Sequence, residues 1–286
     1  MDVNAGTAMS LEAVQTPCKE VLLAKQQNLV SHYAGIIKTQ LPVLKVMVKY
    51  LVADSYFMKH DFIGPLLKEG LHIINKMRPD ANLRYPCNGP KQNRRDSPKC
   101  YDGKVDCKNI DKLRIKKFDE GDNAIYYTAI LYCMALKRLV RIVYLQDRQT
   151  KGYVIFLCKD TLIEPLLIVK YYRLCFQIEF LIRDAKQHAG LEQCQARSEN
   201  KLNFHFNMAL SAVSIAKAAT CLPVPVRTGL SKPKGKRDAF SMKNLKLLFY
   251  NKIITERIFF NLGLDLNCNK IKRLYSQCLD IGALAA

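Results

Sequence analysis

Tyr171-Tyr172-Arg173-Leu174-Cys175-Phe176-Gln177-Ile178-Glu179-Phe180-Leu181-Ile182-Arg183-Asp184-Ala185-Lys186-Gln187-His188-Ala189-Gly190 is the stretch on which the reading of the chain turns. Leu174, Ile178, Leu181, Ile182 and Ala185 recur at steps of three and four, the period of a buried helix face, and Gly190 is a natural stop. Glu179 stands inside that pattern, between Ile178 and Phe180. A carboxylate among apolar neighbours is costly to desolvate alone, so Glu179 is expected to be paired, metal-bound or functional. Tyr172, Cys175, Glu179 and Lys186 are spaced to share one stripe of a continuous helix.

Upstream of this helix the chain alternates between apolar runs and breakers. Residues 1–6 read as the tail of a strand entering a turn, and Thr7 to Val14 as a second strand. Residues 25–40 predict an amphipathic helix closed by Pro42, and Val43 to Val52 a buried, parallel strand. That strand ends at Ala53-Asp54-Ser55-Tyr56-Phe57, before a helix expected over about 56–69. A carboxylate at the carboxyl end of a buried strand is where open α/β folds place their sites; equally, Asp54 or Ser55 caps the helix that follows.

Leu71 to Met77 predicts another strand, and residues 79–104 an irregular basic loop. The runs 113–118, 124–133, 136–145 and 152–158 predict a β meander leading to the helix, which starts near Glu164-Pro165. Beyond Gly190, helices are expected over 199–220 and about 240–262, separated by a second basic, breaker-rich stretch at 221–239 with Arg227, Lys232, Lys234, Lys236 and Arg237. The expected divisions are 1–78, 79–160, 161–222 and 223–286.

Composition bounds the function. Apolar residues make up 49% of the 286, which excludes disorder throughout. The formal net charge of +20 points to a polyanion, nucleic acid before an acidic membrane. Eleven cysteines show no Cys-x2-Cys spacing, which argues against a zinc module or a disulfide scaffold and for reduced thiols serving as small core residues in a cytoplasmic chain. No apolar run is long enough to span a bilayer. His205 sits in a largely apolar helix as a core or DNA-facing side chain, and His32, His60, His72 and His188 show no ligand spacing.

Two isolated carboxylates stand out, Asp54 at a strand end and Glu179 on the helix. Two-metal phosphoryl-transfer sites use such acids to hold divalent ions roughly 3.5–4 Å apart. Arg183 and Lys186, one and two turns beyond Glu179, place cations within reach of a DNA phosphate.

At these residues the chain resembles the insertion-sequence DDE transposases with a Tyr-x2-Arg-x3-Glu-x6-Lys (Tyr-Arg-Glu-Lys) signature. Tyr172, Glu179 and Lys186 match it at the right spacings, and Val52-Ala53-Asp54-Ser55-Tyr56-Phe57-Met58-Lys59 resembles the family's second-aspartate motif. Tyr101-Asp102-Gly103-Lys104-Val105-Asp106 and Phe240-Ser241-Met242-Lys243 resemble further segments. The resemblance implies an α/β fold: an RNase H-like core, incomplete at its N-terminus, with a β-rich insertion and C-terminal helices. It implies metal-assisted hydrolysis and strand transfer at transposon ends. Asp54 and Glu179 would hold two Mg2+ or Mn2+ ions, and Tyr172, Lys186 and Arg183 would contact phosphate.

The implied partners are double-stranded transposon-end and target DNA, with a homodimer or a mixed dimer with a full-length transposase; membrane is not among them, and the expected location is nucleoid-associated. Two departures weigh against activity. Cys175 stands where the signature has arginine, removing a phosphate-binding fork, and Arg173 falls on another side of the helix. The family's first aspartate would lie upstream of Met1, so the chain is expected to be an N-terminally truncated copy, defective alone. Asp2 is not that acid, and Asp160 reads as a turn or cap. The alternative is a non-catalytic DNA-binding protein that interferes with a full-length transposase.

Overall fold

The near-continuous apolar runs between 124 and 158 find their cause in the computed structural model, which describes residues 6–78, 80–87, 101–121, 123–221, 240–265 and 267–282. The chain divides into two compact units, one of Thr16–Cys175 and one combining Met1–Gln15 with Phe176–Ala286.

In the Thr16–Cys175 unit, α1 (Lys19–Ala24), α2 (Leu29–Thr39) and α3 (Leu41–Met47) precede β1 (Tyr50–Ala53). A 3-10 turn (Ser55–Phe57) and α4 (His60–Lys68) lead into β2 (His72–Lys76). Then come β3 (Leu83–Pro86), β4 (Tyr101–Lys104), β5 (Lys116–Glu120), β6 (Ala124–Cys133), β7 (Arg138–Asp147), β8 (Tyr153–Cys158) and α5 (Pro165–Leu174). The strands form one sheet in the order β1-β2-β8-β7-β6-β3-β4, with β5 also on β6. β1 and β2 are parallel, whereas β8 joins β2 antiparallel and so carries the meander into the same sheet.

Alternation divides the side chains between two covered faces. Ile73, Ile142, Tyr144, Ile155 and Leu157 point to a core shared with Val30 and Ala34 of α2 and Phe62, Ile63 and Leu66 of α4. Their neighbours Ile74, Val143, Phe156 and Cys158 point the other way, against Ile168 and Val169 of α5. A strand buried on both faces shows no polar alternation, which is why these runs are nearly all apolar. Cys107, Cys133 and Cys158 are buried and free.

The second unit contains α6 (Gln177–His188), α7 (Glu199–Cys221), α8 (Met242–Asn261) and α9 (Asn269–Leu279). Leu181 and Ala185 of α6, Ala209, Val213 and Ala216 of α7, and Met242 and Leu245 of α8 form its core with Ala8. α9 was not expected from the sequence; it lies along α8 through Phe259 and Tyr275, whose ring centroids are 5.7 Å apart.

Several expectations are corrected. Beyond a single bridge at Thr7, the predicted strand 7–14 forms no ladder among the described residues. Its polar backbone turns to α7 instead: Ala13 donates to Asn207 Oδ1 at 2.8 Å, and Asn207 Nδ2 donates back to the Ala13 carbonyl. One side-chain amide thus satisfies the groups a partner strand would otherwise take. Residues 1–5, the rest of that hairpin, lie outside the described residues.

The first part of the strand expected over 43–52 is helical, in α3 (Leu41–Met47), because Pro42 sits in the first turn of α3 and opens a helix there instead of closing one. Val43 and Val46 are accordingly exposed, at 56% and 87%, and the strand is only Tyr50–Ala53. The described parts of the loop 79–104 include β3 and β4, while its residues 79 and 88–100, together with 222–239 of the second basic stretch, lie outside the described residues. Among the described residues no helix is long and apolar enough to cross a membrane.

Candidate functional site

Asp54 follows β1 at its carboxyl end and is exposed. Its backbone is extended (φ −73°, ψ 167°), and its side chain makes no capping bond to the 3-10 turn behind it. The cap reading of Asp54 therefore gives way, and no ion pair among the described residues engages its carboxylate. What fixes the residue is its main chain. Asn75 of β2, fully buried, donates Nδ2 to the carbonyls of both Ala53 and Asp54 at 3.2 Å. The Asn75 Oδ1 is buried without a partner among the described residues. Sequence reading passed over Asn75, whose signal is a lone amide closing the apolar run Ile73-Ile74.

Tyr172 approaches the same carboxylate from α5, its hydroxyl donating to Asp54 Oδ1 at 3.5 Å. Its ring rests on Phe156 of β8, centroids 4.6 Å apart. Burial first, and the Asp54 charge second, push the phenol up to about 12. Tyr172 is therefore a neutral donor at any physiological pH. Cys175 closes α5, half-buried; burial pushes its thiol up and the Asp54 charge adds to that. Arg173 is no stand-in for the signature arginine: its Nη2 donates to the Tyr126 hydroxyl at 2.8 Å.

The expected continuous helix is interrupted. α5 stops at Leu174 and α6 starts at Gln177, with Cys175 and Phe176 still in right-handed helical conformation but outside either ladder. Tyr172 and Cys175 belong to one unit, Glu179, Arg183 and Lys186 to the other. Glu179 itself corrects the sequence argument. It is exposed, and the apolar residues thought to bury it, Ile178 and Ile182, are exposed at 45% and 40%. The buried face of α6 is Leu181, Asp184 and Ala185, so no desolvation penalty compels a partner for Glu179, and none pairs with it among the described residues. Lys186 pairs with Glu192 at 2.6 Å, and Arg183 lies over the Phe180 ring at 4.6 Å while approaching Asp184 at 3.7 Å.

Asp160 is fully engaged. Its Oδ2 accepts from Tyr50 at 2.8 Å and Lys49 at 3.1 Å, and its Oδ1 from the Leu162 backbone at 3.0 Å, as in a turn. Burial works against its charge, but these donors outweigh it and hold the carboxyl at about 2. His205 contacts the Gly190 carbonyl at 3.0 Å and is half-buried.

Carboxylate oxygens are the donors that Mg2+ and Mn2+ prefer, and Asp54 and Glu179, which belong to different units, are each exposed and free of ion pairs among the described residues, so each is chemically suited to such an ion. Within neither unit do the described residues gather three His, Cys, Asp or Glu side chains around one position.

A family profile described as a transposase DDE domain matches residues 36–215, well over half of the chain. The chain belongs to the DDE transposase family. The match covers β1 through α6 and most of α7, and so includes Asp54, Tyr172, Glu179 and Lys186. The mixed sheet with helices on both faces agrees with such a domain, and membership makes this a transposase-like chain of DNA transposition. No curated protein matches it.

Proposed function

We propose that the chain is a transposon-end DNA-binding protein of the Tyr-Arg-Glu-Lys group of insertion-sequence transposases, built on an RNase H-like core, in which Asp54 and Glu179 are the acids that hold divalent metal. The observation that supports it most is the meeting of Tyr172 and Asp54 at 3.5 Å. The signature tyrosine reaches the strand-end carboxylate, and that carboxylate has no competing duty as a cap or ion pair. Tyr172, held protonated, fixes one carboxylate oxygen and leaves the other open, while Asn75 fixes the backbone beneath. Bound Mg2+ or Mn2+ would polarise a phosphodiester and stabilise the charge that builds on its oxygens. Tyr172, Arg183 and Lys186 would contact phosphate, Lys186 after release from Glu192.

The reading includes incompleteness. Cys175 replaces the arginine fork, Arg173 is committed to Tyr126, and Asp160, the other strand-end acid, is saturated by its own donors. The chain alone is expected to bind duplex DNA without completing strand transfer. Those same observations favour the second reading, a DNA-binding partner that enters mixed assemblies with an intact transposase and lowers its activity.

A nicking and strand-transfer assay with Mg2+ or Mn2+ on end-containing DNA, run beside a binding titration, tests both. Binding without cleavage is the expected result. Robust cleavage abolished by Asp54→Ala would overturn the incompleteness, and absence of DNA binding would overturn the proposed role as a transposon-end binder. Suppression of a full-length transposase by added chain would favour the second reading.

A further inference from the structure

Within the Thr16–Cys175 unit, a cavity of about 570 Å³ is lined by Ser31 of α2, His60, Asp61 and Lys68 of α4, Arg138 at the start of β7 and Lys159 just after β8. Three permanent cations thus share one concavity. Among the described residues no carboxylate lies within ion-pair distance of Lys68, Arg138 or Lys159. The lining's one acid, Asp61, accepts from Asn28 Nδ2 at 2.9 Å, and even counting it the wall carries an excess of two positive charges. Like charges gathered in a cleft repel one another and focus a positive potential into it, and an anion relieves that repulsion.

The groups are also shaped for a particular anion. Arg138 spends Nε on the Leu136 carbonyl at 3.1 Å, which orients the guanidinium and leaves its two terminal nitrogens for a ligand. Arg138 and Lys159 are half-buried, where a charge interacts more strongly than on an open surface. Gly64 sits inside α4, an unfavourable place for glycine; a Cβ there would lie 3.3 Å from His60 Cε1, so its absence leaves room for the imidazole. A guanidinium fork, two ammonium groups, a hydroxyl and an imidazole match the several acceptor oxygens of a phosphate group.

We infer that this cavity is a phosphate-binding pocket, separate from Asp54 and Glu179. Its volume admits a nucleotide-sized ligand. The phosphate comes either from a nucleic-acid backbone seated on α4 and the β7–β8 end or from a small phosphoester.

The test compares the full chain with the K68Q/R138Q/K159Q variant, and with a control variant in which the exposed Lys25, Lys112 and Lys151, none of them in the pocket, are changed to glutamine. Each is titrated with a labelled duplex over a range of salt and, separately, with pyrophosphate. If the pocket holds backbone phosphate, the pocket variant loses duplex affinity by about tenfold or more and its log–log salt slope shrinks by roughly two to three, while the control changes little. If it holds a small phosphoester, only pyrophosphate binding is lost. Equal losses in pocket and control variants, or no loss in either titration, would overturn the proposal. Arg138→Lys keeps the charge and removes the fork, so it should weaken binding while leaving the salt slope unchanged, which separates recognition from misfolding. None of these changes touches Asp54 or Glu179, so failure here leaves the proposed role of the acids standing.

Discussion

At Tyr172 a single phenol does two things, packing its ring on Phe156 and directing its proton at Asp54. Its ionisation is opposed by burial and then by the Asp54 charge, which places it at about 12 against an ordinary 10.0. A group whose folded value is raised contributes stability below its unfolded value and loses it as pH climbs through the folded one. The contribution of Tyr172 is therefore intact below about pH 10 and lost between there and about pH 12. Asp54→Asn removes the negative charge, and NMR titration of labelled tyrosine should then show Tyr172 ionising at lower pH than in the parent chain. An unchanged titration would mean that burial alone sets it. The same residue scale holds the clearest failure of pattern reading: Glu179 sits in apolar sequence, yet in space its neighbours Ile178 and Ile182 face outward. Periodicity marks which residues lie on one face of a helix; it does not reveal which of two apolar stripes the rest of the molecule covers.

At the scale of elements, α5 is the part that brings Tyr172 to the strand ends. Ile168 is fully buried and Val169 nearly so against β2, β7 and β8, and Arg173 ties the helix to Tyr126. Ile168→Ala should cost about 2–4 kcal/mol, the usual range for such a truncation in a packed core. Urea unfolding should show the midpoint fall with the slope unchanged, and a cost under about 1 kcal/mol would mean that α5 is not seated on the sheet. The interruption after Leu174 could not be read from the residues, since Cys175 and Phe176 keep helical dihedral angles and neither is a helix breaker. Pro42 shows the converse difficulty. Proline ends one helix or begins the next with equal local logic, and here it opens α3.

For the whole molecule the governing quantity is the charge of +20. Duplex DNA affinity should drop by a factor of about 1,000 or more between roughly 50 and 200 mM salt if six or more phosphates are neutralised. Fluorescence anisotropy across that salt range measures it, and affinity that ignores salt would rule out phosphate contacts as the source of binding. Most of the two basic stretches expected at 79–104 and 221–239 lies outside the described residues. Among the described residues, the cationic concavity of Lys68, Arg138 and Lys159 draws on positions far apart in sequence and outside both stretches, which is why no run of basic residues announced it.

The sequence by itself determined the chemistry available: the family, through the spacing of Tyr172, Glu179 and Lys186 and the motif around Asp54, and the alternation of buried strands with helices that places Asp54 at a strand end. These are local properties, set by side-chain identity and by the periods of helix and strand. Tertiary structure alone decided which of the residues serve one another. It paired Tyr172 with Asp54, pinned the end of β1 with Asn75, committed Arg173 to Tyr126 and Asp160 to Tyr50 and Lys49, and left Glu179 exposed. The physical reason is that burial and hydrogen bonding depend on surfaces brought together from distant parts of the chain, and nothing in a residue's own neighbourhood records which surfaces those are.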